Sequence, residues 1–532
     1  MSRPPLVTRL VLRNYKSVKA CDVSLPRLAF LVGPNGAGKS NVLDSLRFVA
    51  DALRTTLDHA LRDRGGIKEV RRSSTGHPTH VGVRLEFRLS STQRGCFAFD
   101  LGARRSGAYA VQREECEIID DEHRSRHAYV VEDGVVESST LEPTPAAAAD
   151  RLYLVSVSGA PGFRRTYEAL SNMGFYNLNP AAIRELQPPD PGHLLARDGS
   201  NIASVLESLT SERPEVKARV EEYLGKVVPG IVGVDARHIG PRETVQFRQR
   251  TGAAQEPRRF LAASMSDGTL RALGVLVALY QAVGESGDDA RLIGIEEPEV
   301  ALHPAAAGVL MGGIADASEY SQVLITSHSP DLLDHESIDP AAVFAVVSEG
   351  GNTAIGSLDE AGVSALKQGL YSAGELLRMD QLRPNDQAVS LEPEQLQLFG
   401  GGRPCMNVAV IVEGHAEQES VPILIRRIAE RFHPDGYVAV PRPGSAPGGS
   451  RGSRGRSTSG DRQLEGRDAR GAAARARPRA GGDGTSGGMA PPPRAPGGSP
   501  RPAAAGRRDR GGHRRRAGPP ADLAAIMRLP RA

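Results

Sequence analysis

The sequence predicts an α/β fold in which strands alternating with helices build a helix-flanked sheet that carries a phosphate-binding loop. Two observations predict it. The apolar run Leu28–Val32 leads into Gly33-Pro34-Asn35-Gly36-Ala37-Gly38-Lys39-Ser40-Asn41 and then into an amphipathic helix with Val42, Leu43, Leu46, Phe48 and Val49. Residues 260–350 then alternate helix, strand, helix, strand, with strands at 292–295, 323–325 and 342–347. Such alternation implies a largely parallel sheet covered on both faces.

Taken in order, residues 6–32 read as two strands joined by a turn, the first moderately alternating and the second continuously apolar, as a buried strand should be. Residues 81–89 (VGVRLEFRL) alternate as a half-buried strand does. The segment 95–235 is mixed and reads as an insert, with turn signals at Asn179-Pro180 and Pro188-Pro189-Asp190-Pro191-Gly192. It has no sustained heptads, which excludes long coiled-coil arms. Residues 270–283 read as a helix and 360–400 as helical and polar, so the first domain is expected to span 1–400. A new apolar strand begins at 408–412 and is followed by a helix through 421–428.

Beyond residue 440 the composition changes. Residues 441–532 hold 19 Gly, 13 Pro, no aromatic residue, no Val and only four Leu or Ile. Such a segment cannot bury enough apolar surface to offset its ordering entropy, and it is expected to be disordered. It also holds 20 Arg, no Lys and 6 acidic residues, a net +14 against +3 for the whole chain, so residues 1–440 carry −11. The body is therefore acidic, and overall charge is no argument for nucleic-acid binding. Cys21, Cys96, Cys116 and Cys405 show no CxxC spacing and read as reduced thiols. No signal-like run and no apolar stretch of about 20 residues occurs, so a cytoplasmic location with no membrane association is expected.

The loop at 33–40 has the GxxxxGKS spacing between a strand and a helix. Glycines let successive N–H groups turn toward phosphates, and the helix N-terminus adds its positive end. Lys39 is expected to neutralise the β- and γ-phosphates and the Ser40 hydroxyl to ligate Mg²⁺, which makes ATP and Mg²⁺ the expected ligands. The strand at 292–295 ends in Glu296-Glu297-Pro298-Glu299, placing carboxylates at the carboxyl edge of the sheet. Glu296 is expected in the Mg²⁺ shell and Glu297 as the group that orients the attacking water. Ser266-Asp267-Gly268-Thr269 opens a helix and is either a second anion cradle or a plain N-cap. His328, just past the strand at 323–325, is either structural or in touch with the γ-phosphate.

The ordered motifs GPNGAGKSN, SDGT, IEEPEVALHP and TSHSP resemble the ABC-type ATPase heads of the SMC/RecF and OLD-like families. Within that group the chain resembles the compact AAA family ATPases of bacteria, with RRSSTGHP (71–78), MGFYNLNP (173–180) and SAGELLRMDQL (372–382) contributing to the likeness. The resemblance implies a P-loop head with a mixed sheet flanked by helices, and a homodimer that sandwiches two ATP molecules. Ser266 and Gly268 of one copy would contact the γ-phosphate held by the other's Lys39. His328 would match the switch histidine and Glu297 the catalytic glutamate. Glu296 stands where related heads usually carry Asp, and the EEPE form is similar to the OLD-like branch. No residue is assigned to the Q-loop glutamine.

Residues 406–440, with Val408-Ala-Val-Ile-Val412-Glu413-Gly414, resemble the start of a Toprim domain. The resemblance makes Glu413 a metal-site residue, but a working site also needs a DxD pair, and none follows Glu413. The fragment is therefore expected to be truncated and inactive as a nuclease. The 441–532 composition reads as a frame translated out of register from near 441; an RGG-like RNA-binding tail is the alternative. The function expected is ATP hydrolysis coupled to DNA, in genome maintenance or anti-phage defence, with DNA or a Toprim-like nuclease as partner. An ATP-driven switch controlling a partner effector without touching DNA is the alternative.

Overall fold

A computed structural model describes residues 4–73, 80–103, 108–251, 256–281, 292–335 and 338–400. The Toprim-like fragment with Glu413 and the 441–532 segment lie outside the described residues. In chain order the strands are β1 (Val7–Tyr15), β2 (Val18–Ser24), β3 (Leu28–Val32), β4 (His80–Arg88), β5 (Gln93–Ala103), β6 (Tyr109–Asp120), β7 (Ser125–Glu132) and β8 (Val135–Ser139). They continue with β9 (Gly174–Tyr176), β10 (Ile231–Ile239), β11 (Arg242–Gln249), β12 (Arg258–Leu261), β13 (Leu292–Glu296), β14 (Gln322–Ser327), β15 (Val343–Glu349) and β16 (Asn352–Ser357).

The main sheet runs β8-β7-β6-β5-β4-β1-β2-β16-β15-β3-β14-β13-β9. The largely parallel sheet expected from the strand–helix alternation is found on one side only. There β15, β3, β14, β13 and β9 pair in parallel. From β1, β2 and β4 to β8 the pairing is antiparallel. The physical reason is connection length: turns such as 121–124 and 133–134 close hairpins and are too short for the crossover that parallel neighbours need. Residues 6–32 form three strands, not two. Asn14 (φ 56°) and Lys16 (φ 48°) fold the chain back on itself, so that VKACDVS, too polar to read as a strand, pairs with β1 as β2.

β3 is apolar along its length because both of its faces are covered. Ala29 and Leu31 face one core, shared with the helix Lys39–Arg54 and the antiparallel strands. Phe30 and Val32 face a second core, built with the helices Ile202–Glu212, Pro214–Val227, Asp267–Tyr280 and Pro304–Ser318. The helix Lys39–Arg54 buries Val42, Leu43, Leu46, Phe48, Val49 and Leu53, each worth about 1.5–3 kcal/mol. That burial fixes the direction in which the chain leaves the phosphate loop.

The 360–400 region is less helical than its polar pattern predicts. The short helices Glu360–Lys367, Ala373–Arg378 and Asp386–Val389 and the 3-10 turn Pro393–Gln395 form, interrupted at Gly369 (φ 64°) and Pro384. Its last residues lie across the antiparallel strands, where Leu396 and Leu398 pack on Val11 and Ala20 and the Leu398 carbonyl accepts from Arg84 Nη1 at 3.0 Å.

Candidate active site

The sheet order sets the site. β14 lies between β3 and β13, all three parallel, so the residues that follow each strand meet at one carboxyl edge. These are the 33–40 loop, His328, and Glu296 with Glu297. In open α/β sheets such an edge is where ligands bind.

The loop is held by close backbone approach. A Cβ on Gly33 would stand 2.0 Å from the Val346 carbonyl oxygen, and one on Gly38 would stand 2.1 Å from Thr353 Oγ1. Gly38 is also left-handed (φ 101°) and caps the following helix. Only glycine fits either position. The Lys39 ammonium, 5 % exposed, donates to the carbonyls of Gly33 (2.8 Å) and Pro34 (3.0 Å). Burial pulls its pKa below the ordinary lysine value, and the charges of Glu297 and Glu299 act against that. Ser40 is exposed on the first turn of the helix. Asn41 Nδ2 donates to Ser17 Oγ at 2.6 Å.

At the end of β13, Glu296 Oε1 accepts from Arg197 Nη2 at 2.8 Å. Glu297 has a left-handed backbone (φ 46°), its N–H bonded to the Thr326 carbonyl at 3.0 Å. Its Oε1 lies 3.0 Å from His328 Nδ1. Glu299 is 8 % exposed; its Oε1 accepts from Ser327 Oγ at 2.6 Å, while Oε2 is buried and has no hydrogen-bond partner. Burial raises the Glu299 pKa, with the Ser327 hydrogen bond acting against it. Arg271, on the helix Asp267–Tyr280, donates to the carbonyls of Leu178 (2.7 Å), Glu296 (3.1 Å) and Glu297 (2.8 Å). It thereby ties that helix to the backbone of both acids. Beside it a cavity of about 400 Å³ is lined by Asn177, Asn179, Arg197, Asp198 and Arg271.

Residues 266–269 form the N-terminal cap of their helix. Ser266 caps its helix, with Oγ accepting from Thr269 N at 3.3 Å and 2.9 Å from Thr269 Oγ1. Asp267 pairs with Arg184. Among the described residues, no hydrogen bond of 266–269 reaches residues 33–41. Lys39, Glu296, Glu297 and His328 are thus brought to one edge, while Ser266 and Asp267 are exposed at the start of their helix and Gly268 packs against Ala301 in the turn after Glu299. Sequence reasoning missed Ser17, Arg197, Arg271 and Thr353. Arg197 and Thr353 lie in segments of no periodicity, and only Glu299 stood inside a motif already singled out.

For a metal, the fit rests on donor chemistry. An exposed hydroxyl on the first helical turn and a strand-end carboxylate are hard oxygen donors of the type Mg²⁺ takes. Elsewhere, ligand atoms of Glu207, His238 and Glu243 lie within 4.8 Å of one another. Each ring nitrogen of His238 faces a different carboxylate there, at 3.1 and 3.7 Å, so a histidine set between two acids accounts for the cluster.

A glycine-rich loop between a doubly buried strand and a helix, with acids and a histidine ending the next strands over, defines a P-loop nucleotide-binding site on an α/β sheet. More narrowly, the family described as "AAA domain, putative AbiEii toxin, Type IV TA system" matches residues 28–143 and 168–334, over half of the chain, and the chain belongs to that family. It is 44 % identical over 41 residues to the DNA replication and repair protein RecF of Vibrio vulnificus, covering 8 % of this chain and 11 % of that protein. The RecF of Vibrio campbellii is 42 % identical over 41 residues, 8 % of this chain and 12 % of that one. The chain thus spans about a tenth of the length of these curated relatives. Among solved structures, an Smc head bound to the C-terminal winged-helix domain of ScpA has a TM-score of 0.43 at 14 % identity, over 68 % of this chain and 100 % of that one. The SMC head domain from Thermotoga maritima has a TM-score of 0.32 at 11 % identity, over 68 % and 100 %.

Proposed function

We propose that this chain binds and hydrolyses ATP in the 33–40 loop, with the amides of 34–41 and Lys39 on the phosphates and Ser40 and Glu296 as the Mg²⁺ ligands. When bound, Mg²⁺ supplies charge neutralisation at the β- and γ-phosphates. Glu297 is the general base: its carboxylate accepts a proton from the attacking water and orients it. His328, at 3.0 Å from Glu297 Oε1, holds that carboxylate in place and presents its other ring nitrogen toward the γ-phosphate side. Glu299 lies behind them and supports Ser327. The Glu297–His328 contact is the observation that carries this reading, because it joins a base and its orienting partner at the edge where the loop ends.

Two copies close around two nucleotides, with Ser266, Asp267, Gly268 and Thr269 of one copy on the γ-phosphate held by the other. The exposure of Ser266 and Asp267 at the helix start supports this, since that end is open to a second copy. The client is duplex DNA, in genome maintenance or anti-phage defence, a reading supported by the names of the RecF relatives. Residues 1–400 act as the head, the Toprim-like 406–440 with Glu413 contributes no nuclease activity, and 441–532 is read out of frame. No helix among the described residues is long and apolar enough to cross a membrane, in keeping with cytoplasmic action.

The test is ATP turnover by the full chain with and without duplex DNA, beside Lys39→Ala. Turnover that Lys39→Ala abolishes and DNA stimulates supports the whole reading. Turnover indifferent to DNA favours the switch acting on a protein effector, and no turnover by the wild type removes the enzymatic reading.

A further inference from the structure

The phosphate loop is backed by a hairpin that begins more than 300 residues later in the chain. β15 and β16 pair antiparallel, and Thr353 of β16 bridges Val18 of β2 in parallel register. This places Thr353, 3 % exposed, directly behind Gly38. Its Oγ1 donates to the Ala37 carbonyl at 2.8 Å and lies 2.7 Å from Ser17 Oγ. Ser17 Oγ in turn accepts from Asn41 Nδ2 at 2.6 Å, and the Thr353 N–H donates to the Ser17 carbonyl at 2.9 Å.

Each link has one possible direction. A carbonyl only accepts, so the Thr353 hydroxyl proton is spent on Ala37. Ser17 must then donate to Thr353, and its free lone pair receives the Asn41 amide. The relay Asn41 to Ser17 to Thr353 to Ala37 is therefore fully satisfied, and hydrogen bonds aligned in one sense reinforce each other. Its two ends, Ala37 and Asn41, bracket Gly38, Lys39 and Ser40. The same atoms forbid a side chain at position 38, because a Cβ there meets Thr353 Oγ1 at 2.1 Å and Ser17 Oγ at 3.0 Å. Gly33 at the other end of the loop is closed off by the Val346 carbonyl of the same hairpin.

We infer that Thr353 and Ser17 are positioning residues for the phosphate loop, holding the amides of residues 38–40 in the orientation that receives a nucleoside triphosphate. This rests on the reading of residues 33–40 as a phosphate cradle. A cradle fixed in advance loses less freedom when the ligand arrives, so the hairpin contributes to affinity without touching the ligand. Thr353→Val keeps the shape of the side chain and removes the hydroxyl, leaving the Ala37 carbonyl and Ser17 without their partner.

The experiment uses the full chain as wild type, Thr353→Val, Thr353→Ser and Lys39→Ala. In nucleotide-free protein, amide hydrogen exchange at residues 37–41 is expected to quicken about tenfold in Thr353→Val, in line with one lost buried hydrogen bond, and to return toward wild type in Thr353→Ser. Equilibrium binding of ATP is expected to weaken about tenfold in Thr353→Val, to recover in Thr353→Ser, and to raise KM more than it lowers kcat. Unchanged loop exchange in Thr353→Val overturns the positioning role, whatever the nucleotide result. Quickened exchange in a chain whose wild type binds no ATP upholds the relay and sinks the cradle reading instead. A Thr353→Val protein that has lost its cooperative thermal transition hands the decision to Ser17→Ala, which breaks the same relay from the partly exposed side.

Discussion

Glu297 Oε1 and His328 Nδ1 stand 3.0 Å apart across the carboxyl ends of the neighbouring strands β13 and β14, and Glu297 reaches that position through a left-handed backbone (φ 46°). A non-glycine residue in that region costs about 1–2 kcal/mol. The surroundings hold it there: its N–H is bonded to the Thr326 carbonyl and its own carbonyl to Arg271 Nη2. The two motifs are pinned from the backbone side, and among the described residues the hydrogen bond on the Glu297 carboxylate comes from His328.

Glu297→Gln preserves that shape and removes the proposed base. Hydrolysis is expected to fall about 10²–10⁴-fold while ATP binding persists, and the bound state should accumulate as a dimer in size-exclusion chromatography with ATP and Mg²⁺. Single-turnover hydrolysis measures it, and a rate equal to wild type refutes the role of Glu297.

If Glu296 holds Mg²⁺ as proposed, Arg197 and the ion would compete for the same oxygen. Arg197 Nη2 sits 2.8 Å from Glu296 Oε1, and the arginine is 44 % exposed while Glu296 is 19 % exposed. A half-exposed pair of this kind is worth about 0–1 kcal/mol, so releasing Glu296 should help metal loading only modestly. Arg197→Ala is expected to lower the Mg²⁺ concentration for half-maximal turnover about two- to fivefold. A rise in that concentration makes Arg197 a support of Glu296 and not a competitor.

How much of this was legible beforehand follows from the range of each interaction. β3, β13, β14 and β15 are covered on both faces, so burial wrote continuous apolar runs into the sequence, and the loop and acids at their ends could be placed from those runs. β2 interleaves Lys19 and Asp22 with small buried residues, β16 buries Thr353 and Gly356, and neither leaves such a trace. Thr353 and Ser17 are 336 residues apart and 2.7 Å from each other, a contact that no local period encodes. The polar 360–400 region read as helical, and short helices do form there, one of them opened by the Ser372–Glu375 capping box. Gly369 and Pro384 limit each helix to a turn or two. For Ser266–Thr269, the sequence left a cradle and a cap open, and the cap is formed.

A buried acid far from the site predicts a pH effect on stability. Glu114 is fully buried, accepting from Tyr129 Oη (2.6 Å), Tyr153 N (2.6 Å) and Leu154 N (2.9 Å). Burial pushes its pKa up to about 7, against those three donors. Between the ordinary glutamate value and about 7 the folded chain then binds more protons than the unfolded one. Stability therefore falls as pH rises through that window and levels off above it. Urea unfolding from pH 5 to pH 8 should show wild type losing about 2 kcal/mol relative to Glu114→Gln. Parallel profiles for the two proteins would contradict the raised pKa.

Gly268 bears on whether residues 266–269 serve only a second copy. A Cβ there would stand 2.4 Å from the Ala301 carbonyl oxygen, and Ala301 is itself left-handed (φ 66°), in the turn that follows Glu299. The glycine is thus required by packing within one chain, between the helix Asp267–Tyr280 and the loop that carries the acids. Backbone cannot swing away as a side chain can, so Gly268→Ala must push the two segments apart. The variant is expected to lose about 1–3 kcal/mol of stability as a nucleotide-free monomer, read by denaturant unfolding at low protein concentration, and to lose ATP turnover as well. Lost turnover with wild-type monomer stability would instead place the whole requirement for Gly268 in the contact between two copies.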